Sequence, residues 1–65
     1  MNIPMNMSII KCCDDGTPLP IYHINQPTNI PQIDNQIRVI GDWYRVQTII
    51  FDYEMNEIQV FVIKI

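Results

Sequence analysis

Few side chains of this chain could perform acid–base or nucleophilic chemistry. His23 is the single histidine, and Ser8 and the adjacent Cys12 and Cys13 are the nucleophiles that it could activate. No spacing among them is typical of a nucleophile and its base, so we interpret His23 as a strand residue with a part-exposed ring. The sequence therefore predicts no catalytic residue and no enzymatic activity.

The cysteine pair does not predict a metal centre. Zinc sites usually take their cysteines from positions about two to four residues apart, so that both thiolates reach the metal. Adjacent residues of a strand point to opposite faces, which predicts one buried and one exposed thiol for Cys12 and Cys13. With Gly16 and Gly41 as the only glycines there is also no glycine-rich phosphate loop, and we expect no cofactor.

The carboxylates have a structural explanation. Most of them fall in predicted turns, where acidic side chains cap the backbone. They are Asp14, Asp15, Asp34, Asp42, Asp52, Glu54 and Glu57. A hydrolase built on two carboxylates needs a cleft that raises the pKa of one of them, and a chain of 65 residues has little room for one.

Arg38, Trp43 and Arg45 are the strongest candidates for a functional surface. Arginine beside an aromatic ring can hold a phosphate and stack a base, and the same residue types are enriched at protein-binding hot spots. A net charge of −3 with four basic residues argues against nucleic acid. We therefore predict a protein-binding surface, with a plain solvent face as the alternative.

The composition indicates what must position these residues. The chain has fourteen Ile, four Val, one Leu and no Ala, which favours strands over helices. Five prolines, all in the first half, exclude a long helix there. We expect one all-β domain over residues 1–65, a small curved sheet or SH3-like barrel of about five short strands that ends in a β-meander.

The first half is divided by turn signals. Met5–Cys13 is apolar enough for a strand, and Asp14-Asp15-Gly16 after it is a turn signal. Pro18–Ile24 predicts a short edge strand, because two prolines exclude it from the centre of a sheet. Asn25–Pro31 is predicted as a loop.

In the second half, Gly41-Asp42 predicts a two-residue hairpin turn. That turn would place Ile40 opposite Trp43 and Arg38 opposite Arg45, so that the two arginines repel each other. The predicted core face consists of Ile37, Val39, Tyr44, Val46 and Ile50.

The second turn, around Glu54–Glu57, leaves two registers open. A two- or four-residue loop places Ile49, Phe51 and Tyr53 beside Ile58, Val60 and Val62. A three-residue loop with Asn56 in the left-handed region instead places the last three beside Ile50. Both faces are apolar near the C-terminus in either register, so we predict a homo-oligomer that associates through an apolar surface. Its candidate residues are Phe51, Tyr53, Phe61 and Ile63.

The second half resembles small SH3-like barrels of bacteriophage and mobile-element proteins. The resemblance covers Ile30–Ile65 and rests on Pro31 at a loop end, Asp34 before a strand, the Gly41-Asp42 turn and the Trp43–Ile65 hairpin. It implies a non-enzymatic accessory protein that binds and inhibits a host enzyme. Two alternatives stay open: a small-barrel nucleic-acid binder that uses the Arg–Trp residues, and a structural subunit of a virion or complex.

The expected location is the cytoplasm. No apolar run approaches the length of a membrane span, which is about eighteen residues or more. The N-terminal segment MNIPMNMSII lacks the basic region of a secretory signal, and adjacent cysteines are no disulfide framework. We therefore expect neither secretion nor contact with a membrane.

Overall fold

The computed structural model describes residues 4–65, so the first three residues of the N-terminal segment lie outside it. The described chain forms five strands and no helix, which confirms the predicted all-β class. The strands are β1 (Asn6–Cys12), β2 (Pro18–Ile24), β3 (Gln36–Val39), β4 (Asp42–Asp52) and β5 (Glu57–Lys64). The two strands and the turn predicted in the first half are confirmed, with β1 one residue shorter at each end than predicted.

The strands form one mixed sheet in the order β2-β1-β5-β4-β3. β1 and β5 pair in parallel, and the other neighbours pair antiparallel, including the predicted meander β3-β4-β5. The sheet curls into a half-barrel whose concave face holds the core. The core side chains are Met5, Met7, Ile9, Val39, Tyr44, Val46, Ile58, Val60 and Val62.

The hairpin between β3 and β4 turns one residue earlier than predicted. Ile40 and Gly41 are its central residues and have φ angles of 47° and 83°. Positive φ at both central positions is the type I′ geometry, which matches the twist of the flanking strands. The predicted Gly41-Asp42 turn is therefore wrong, because Asp42 already belongs to β4 and pairs with Val39.

The earlier turn changes the pairing but not the faces. Arg38 lies opposite Trp43, and Arg45 lies opposite Gln36, so the predicted direct opposition of the two arginines is wrong. Each residue of β3 pairs with a β4 residue two positions before its predicted partner. A shift of two preserves the alternation of side chains, so the predicted core residues of β3 and of the first half of β4 do face the core.

A β-bulge in β4 determines which side chains of the second half of that strand face the core. The second turn has four residues, with Asp52 opposite Glu57, which is the first of the two registers left open. Gln47 is the extra residue between paired Val46 and Thr48, and it switches the faces of the residues after it. Ile49 therefore packs against the core.

The prediction that Ile50 faces the core is wrong because of the same bulge. Beyond the bulge it shares the convex face with its partner Gln59, and 44% of it is exposed. The prediction continued the alternation of β4 without a break, and the bulge interrupts it.

Polar contacts hold the ends of the elements. The Asn6 backbone N–H donates to the Asn56 carbonyl oxygen (3.1 Å), and the Asn56 side-chain amide donates to the Pro4 carbonyl oxygen (3.0 Å). In the first turn, the Thr17 backbone N–H donates to Asp15 Oδ1 (2.9 Å) and lowers the pKa of that carboxyl.

Within residues 4–65 there is no helix of the length and apolarity that a membrane crossing requires.

Candidate protein-binding surface

The half-barrel is open on one side. β2 and β3 are the two edges of the sheet, and a groove of about 780 Å³ lies between them. Met7, Ile9, Tyr22 and Ile24 line one wall, the loop at positions 27–31 lines its end, and Gln36–Ile40 lines the other wall. Binding pockets commonly have volumes of about 300–1,000 Å³, so the groove is large enough for a ligand.

The β2 edge of this groove is poor in hydrogen-bond donors. The Cys13 N–H donates to the Thr17 carbonyl oxygen (3.2 Å), and bonding to β1 then falls on alternate residues of β2. Pro18 and Pro20 take the positions between, whose backbone groups face away from β1. Proline has no N–H to offer there, so this edge is protected against pairing with another strand.

The β3 edge keeps its donors. Asp34 N–H donates to the Val46 carbonyl oxygen and Val46 N–H donates to the Asn35 carbonyl oxygen, each at 2.9 Å. By alternation, the odd-numbered positions bond to β4, and Gln36 and Arg38 direct their N–H and C=O groups to the open side. Among residues 4–65, β3 has no strand neighbour on that side.

Arg38, Trp43 and Arg45 lie together on the convex face, and we call them the Arg–Trp surface. Arg38 is the cross-strand neighbour of Trp43, and Arg45 follows Trp43 by two positions on the same face. Trp43 is 51% exposed. The one ion pair among residues 4–65 joins Lys64 and Asp42 at 3.9 Å, so neither arginine has a described carboxylate within 4.0 Å.

The four residues predicted for self-association do not form one surface. Phe51 faces the concave side with its partner Ile58, whereas Phe61 faces the convex side with its partner Thr48. Ile63 lies on the convex side opposite Arg45, and both Phe61 and Ile63 are half-buried. The two sets are separated because the four-residue turn pairs Phe51 with Ile58, and Phe61 and Ile63 are an odd number of positions from Ile58 along β5.

Phe51 and Tyr53 are the exposed residues of that set. With the neighbouring Ile33 they form a surface that we call the aromatic corner (Ile33, Phe51, Tyr53). The rings of Phe51 and Tyr53 stack with centroids 6.3 Å apart and planes inclined by 15°. Their exposed fractions are 46% and 80%, and Ile33, at 59%, lines a shallow depression with Phe51. Sequence reasoning missed Ile33, although an isoleucine next to the turn residue Asp34 was a usable signal.

His23 belongs to a hydrogen-bond chain that the sequence did not predict. Its Nε2 lies 3.0 Å from Asn25 Oδ1, and its Nδ1 lies 3.2 Å from Ser8 Oγ. An amide oxygen accepts, so the tautomer with its proton on Nε2 donates to Asn25, and in that tautomer Nδ1 can accept from the Ser8 hydroxyl. Ser8 and His23 meet because they are register partners in the first hairpin. Neither the groove nor the depression at the aromatic corner is lined by these side chains, so the chain orders an exposed ring without enclosing a substrate.

Cys12 and Cys13 are both free and half-buried, so the predicted difference in their exposure is wrong. Cys13 lies just past the end of β1 in the turn region, where the alternation of strand faces no longer applies. Within residues 4–65, no group of three His, Cys, Asp or Glu side chains is arranged to hold a metal ion.

The β3 edge and the Arg–Trp surface are neighbours, because Arg38 belongs to both and Trp43 pairs with it. They combine unpaired backbone groups, two arginines without a carboxylate and a half-exposed indole ring. Comparisons of the chain with protein-family models, with curated proteins and with solved structures returned no match.

Proposed function

We propose that this chain is a protein-binding module without enzymatic activity of its own, and that its partner contacts the Arg–Trp surface. The observation that carries the proposal is the pair of arginines that flank Trp43 without a described carboxylate, on a chain with a net charge of −3. This acidic chain carries both cations on one face, beside a tryptophan that is 51% exposed. Tryptophan and arginine are the side chains that most often dominate the binding energy of protein interfaces.

Two further parts of the proposal rest on different grounds. Self-association is supported by the aromatic corner, where three exposed apolar side chains lie next to one another, since contiguous apolar patches often mark interaction surfaces. The resemblance to bacteriophage and mobile-element barrels makes inhibition of a host enzyme in the cytoplasm the role that we propose for the binding. The SH3-like resemblance itself stays a prediction.

The test is a selection of binding peptides from a displayed random library, followed by measured affinities for variants. We expect Trp43→Ala to weaken binding of the selected peptides by about 2 kcal/mol, or about thirtyfold, as truncation of a hot-spot side chain does. Thr48→Ala is the matched control, since Thr48 is exposed on the same face of the same strand. Selected peptides that bind the Trp43→Ala and wild-type chains equally would show that the partner binds elsewhere.

Nucleic acid is the second candidate ligand, because arginines beside an indole can hold phosphates and stack a base. Four basic residues and a net charge of −3 work against it. Electrophoretic shifts with single- and double-stranded DNA and RNA at low salt should be negative. A shift that weakens with salt and is lost in the Arg38→Ala/Arg45→Ala double variant would favour nucleic acid over protein.

A further inference from the structure

We infer that the partner binds as an extended segment that adds a strand to the free edge of β3, and that its side chains alternate between apolar and acidic. The inference rests on the proposed function and adds to it the binding mode and the chemical class of the partner. It follows from three features of the groove and its rim: the backbone groups of β3, the side chains that line the groove, and the charge outside it.

The free edge of β3 has the backbone groups that an added strand would bind. Gln36 and Arg38 offer two N–H and two C=O groups to the open side, at the alternating spacing that an added strand requires. The facing edge of β2 carries Pro18 and Pro20 at the corresponding positions and cannot compete. One edge of the groove therefore accepts a strand and the other does not.

The lining of the groove favours apolar side chains on the side of an added strand that faces it. An added strand would lie about 4.8 Å from β3, and its alternate side chains would point into the concave side of the half-barrel. There they would meet Ile37 and Val39 on the near wall and Ile24 on the far wall, with Tyr22, 49% exposed, at the rim. These surroundings favour apolar side chains at every second position of the partner segment.

The arginines on the convex face favour acidic side chains on the other side of an added strand. The remaining side chains of the added strand would lie on the convex face beside Gln36 and Arg38, with Arg45 one strand further. Neither arginine has a described carboxylate within 4.0 Å, so acidic side chains of the partner would supply the missing counter-charges. Arginine–carboxylate pairs are among the strongest hydrogen-bonded contacts in proteins.

The same charges argue against a second copy of this chain as the occupant. Edge-to-edge pairing of two β3 strands would bring the Arg38 side chains of both copies together on one face, and like charges on neighbouring strands are destabilising. The β2 edge of a second copy lacks the donors for pairing at Pro18 and Pro20. The occupant is therefore a segment of a different protein.

The first experiment uses the wild-type chain and three short fluorescent peptides of about seven residues, a usual strand length. One alternates Val and Glu, one alternates Val and Lys, and the third is the Val–Glu peptide with N-methylated backbone amides on the side that would face β3. Fluorescence anisotropy should show binding of the Val–Glu peptide, with affinity at least about tenfold lower for the lysine peptide. N-methylation should weaken binding by about fivefold or more for each hydrogen bond removed.

The second experiment uses variants of the β3 edge. Gln36→Pro removes one outward donor without touching the bonds between β3 and β4, and Gln36→Ala is its matched control. Binding of the Val–Glu peptide and of the peptides selected from the library should fall for the proline variant and persist for the alanine variant. Circular dichroism and urea unfolding establish that both variants fold, and the N-methylated peptide tests the edge on the wild-type chain independently.

The outcomes separate this inference from the proposed function. If selected peptides lose affinity for Trp43→Ala but bind Gln36→Pro and tolerate N-methylation, the partner uses the Arg–Trp surface without adding a strand, and the inference fails alone. Equal binding of the Glu and Lys peptides would refute the acidic pattern. Dimers that form through the β3 edge and exclude the Val–Glu peptide would identify a second copy as the occupant and overturn the inference.

Discussion

At the scale of single residues, Ile40 is the most unusual position of the described chain. It is β-branched, its φ angle is 47°, and 79% of it is exposed. A left-handed conformation costs an L-residue about 1–2 kcal/mol. A side chain as exposed as that of Ile40 buries little apolar surface that could offset this cost. The sequence favoured a turn one residue later because Ile is rarely found at a type I′ position, whereas Gly is common. The turn nevertheless lies at Ile40-Gly41, with Val39 paired to Asp42.

We expect Ile40→Asn to raise the free energy of unfolding by about 1 kcal/mol, because Asn-Gly is the preferred pair at the centre of a type I′ turn. Urea denaturation monitored by Trp43 fluorescence is the measurement. Ile65→Asn is the matched control, since Ile65 is 62% exposed but does not have a positive φ. A stability unchanged or lowered by Ile40→Asn would mean that the isoleucine side chain stabilises the fold more than its backbone strain costs.

At the scale of elements, the strand bounds could be predicted and the registers could not. Pro18, Gly16 and Gly41 punctuate the chain, so the strands between them were recognisable. The Arg–Trp surface was also predictable, because Trp43 and Arg45 are two residues apart on one strand and share a face in any register. Ile49 and Ile50, by contrast, are adjacent and both apolar, so only the bulge at Gln47 decides which faces the core.

The same limit applies to the contacts of the first hairpin. Ser8 meets His23 through a register that contains its own irregularity, between Ile9 and Ile10. No local signal in the sequence marks that irregularity. Contacts that depend on a bulge therefore need the structure, whereas contacts along one strand do not.

Deletion of Gln47 tests the role of the bulge in β4. Without the extra residue, the pairs Val46–Val62 and Thr48–Phe61 become consecutive, so Ile49 and Phe51 stay on the concave face and Ile50 stays on the convex face. We expect the deletion to change the free energy of unfolding by no more than about 1 kcal/mol, because each packed side chain keeps its partner on β5. Urea denaturation measures it.

Gln47→Ala is the control for this deletion, because it keeps the bulge and changes only an exposed side chain. We expect it to lie within about 0.5 kcal/mol of wild type. A deletion variant less stable than Gln47→Ala by more than about 2 kcal/mol would show that the core needs the local bend of the bulge as well as the pairing of β4 with β5.

At the scale of the whole molecule, one sheet buries one face well and the other in part. The concave face holds the fully buried Val46, Ile58, Val60 and Val62. On the convex face, Ile10 is buried while Phe61 and Ile63 stay half-buried. The most exposed of the large apolar side chains, Tyr53 at 80%, belongs to the aromatic corner, and Met55 in the adjoining turn is 74% exposed. Self-association is therefore tested best at the aromatic corner.

We expect light scattering after size exclusion to show a dimer or larger species, and Tyr53→Asp to shift it toward the monomer. Tyr53 is 80% exposed, so its replacement should leave the free energy of unfolding within about 0.5 kcal/mol of wild type. Phe61→Asp is the comparison, since it introduces a charge at a half-buried convex position and should lower stability. A wild-type chain that is monomeric at tens of micromolar would refute self-association.

The central place of β5 has a consequence for the order in which this fold can be assembled. β5 alone joins the β1–β2 hairpin to the β3–β4 hairpin, and Asn6 at the start of β1 pairs with Glu57 at the start of β5. During synthesis both hairpins leave the ribosome before the strand that unites them, and two-stranded hairpins are barely stable alone in water. Pairing between such distant segments slows folding, and nascent chains would meanwhile expose the inner edges of β1 and β4 to each other. The yield of folded protein in a cell would then depend on how fast β5 inserts between them compared with how often two nascent chains meet.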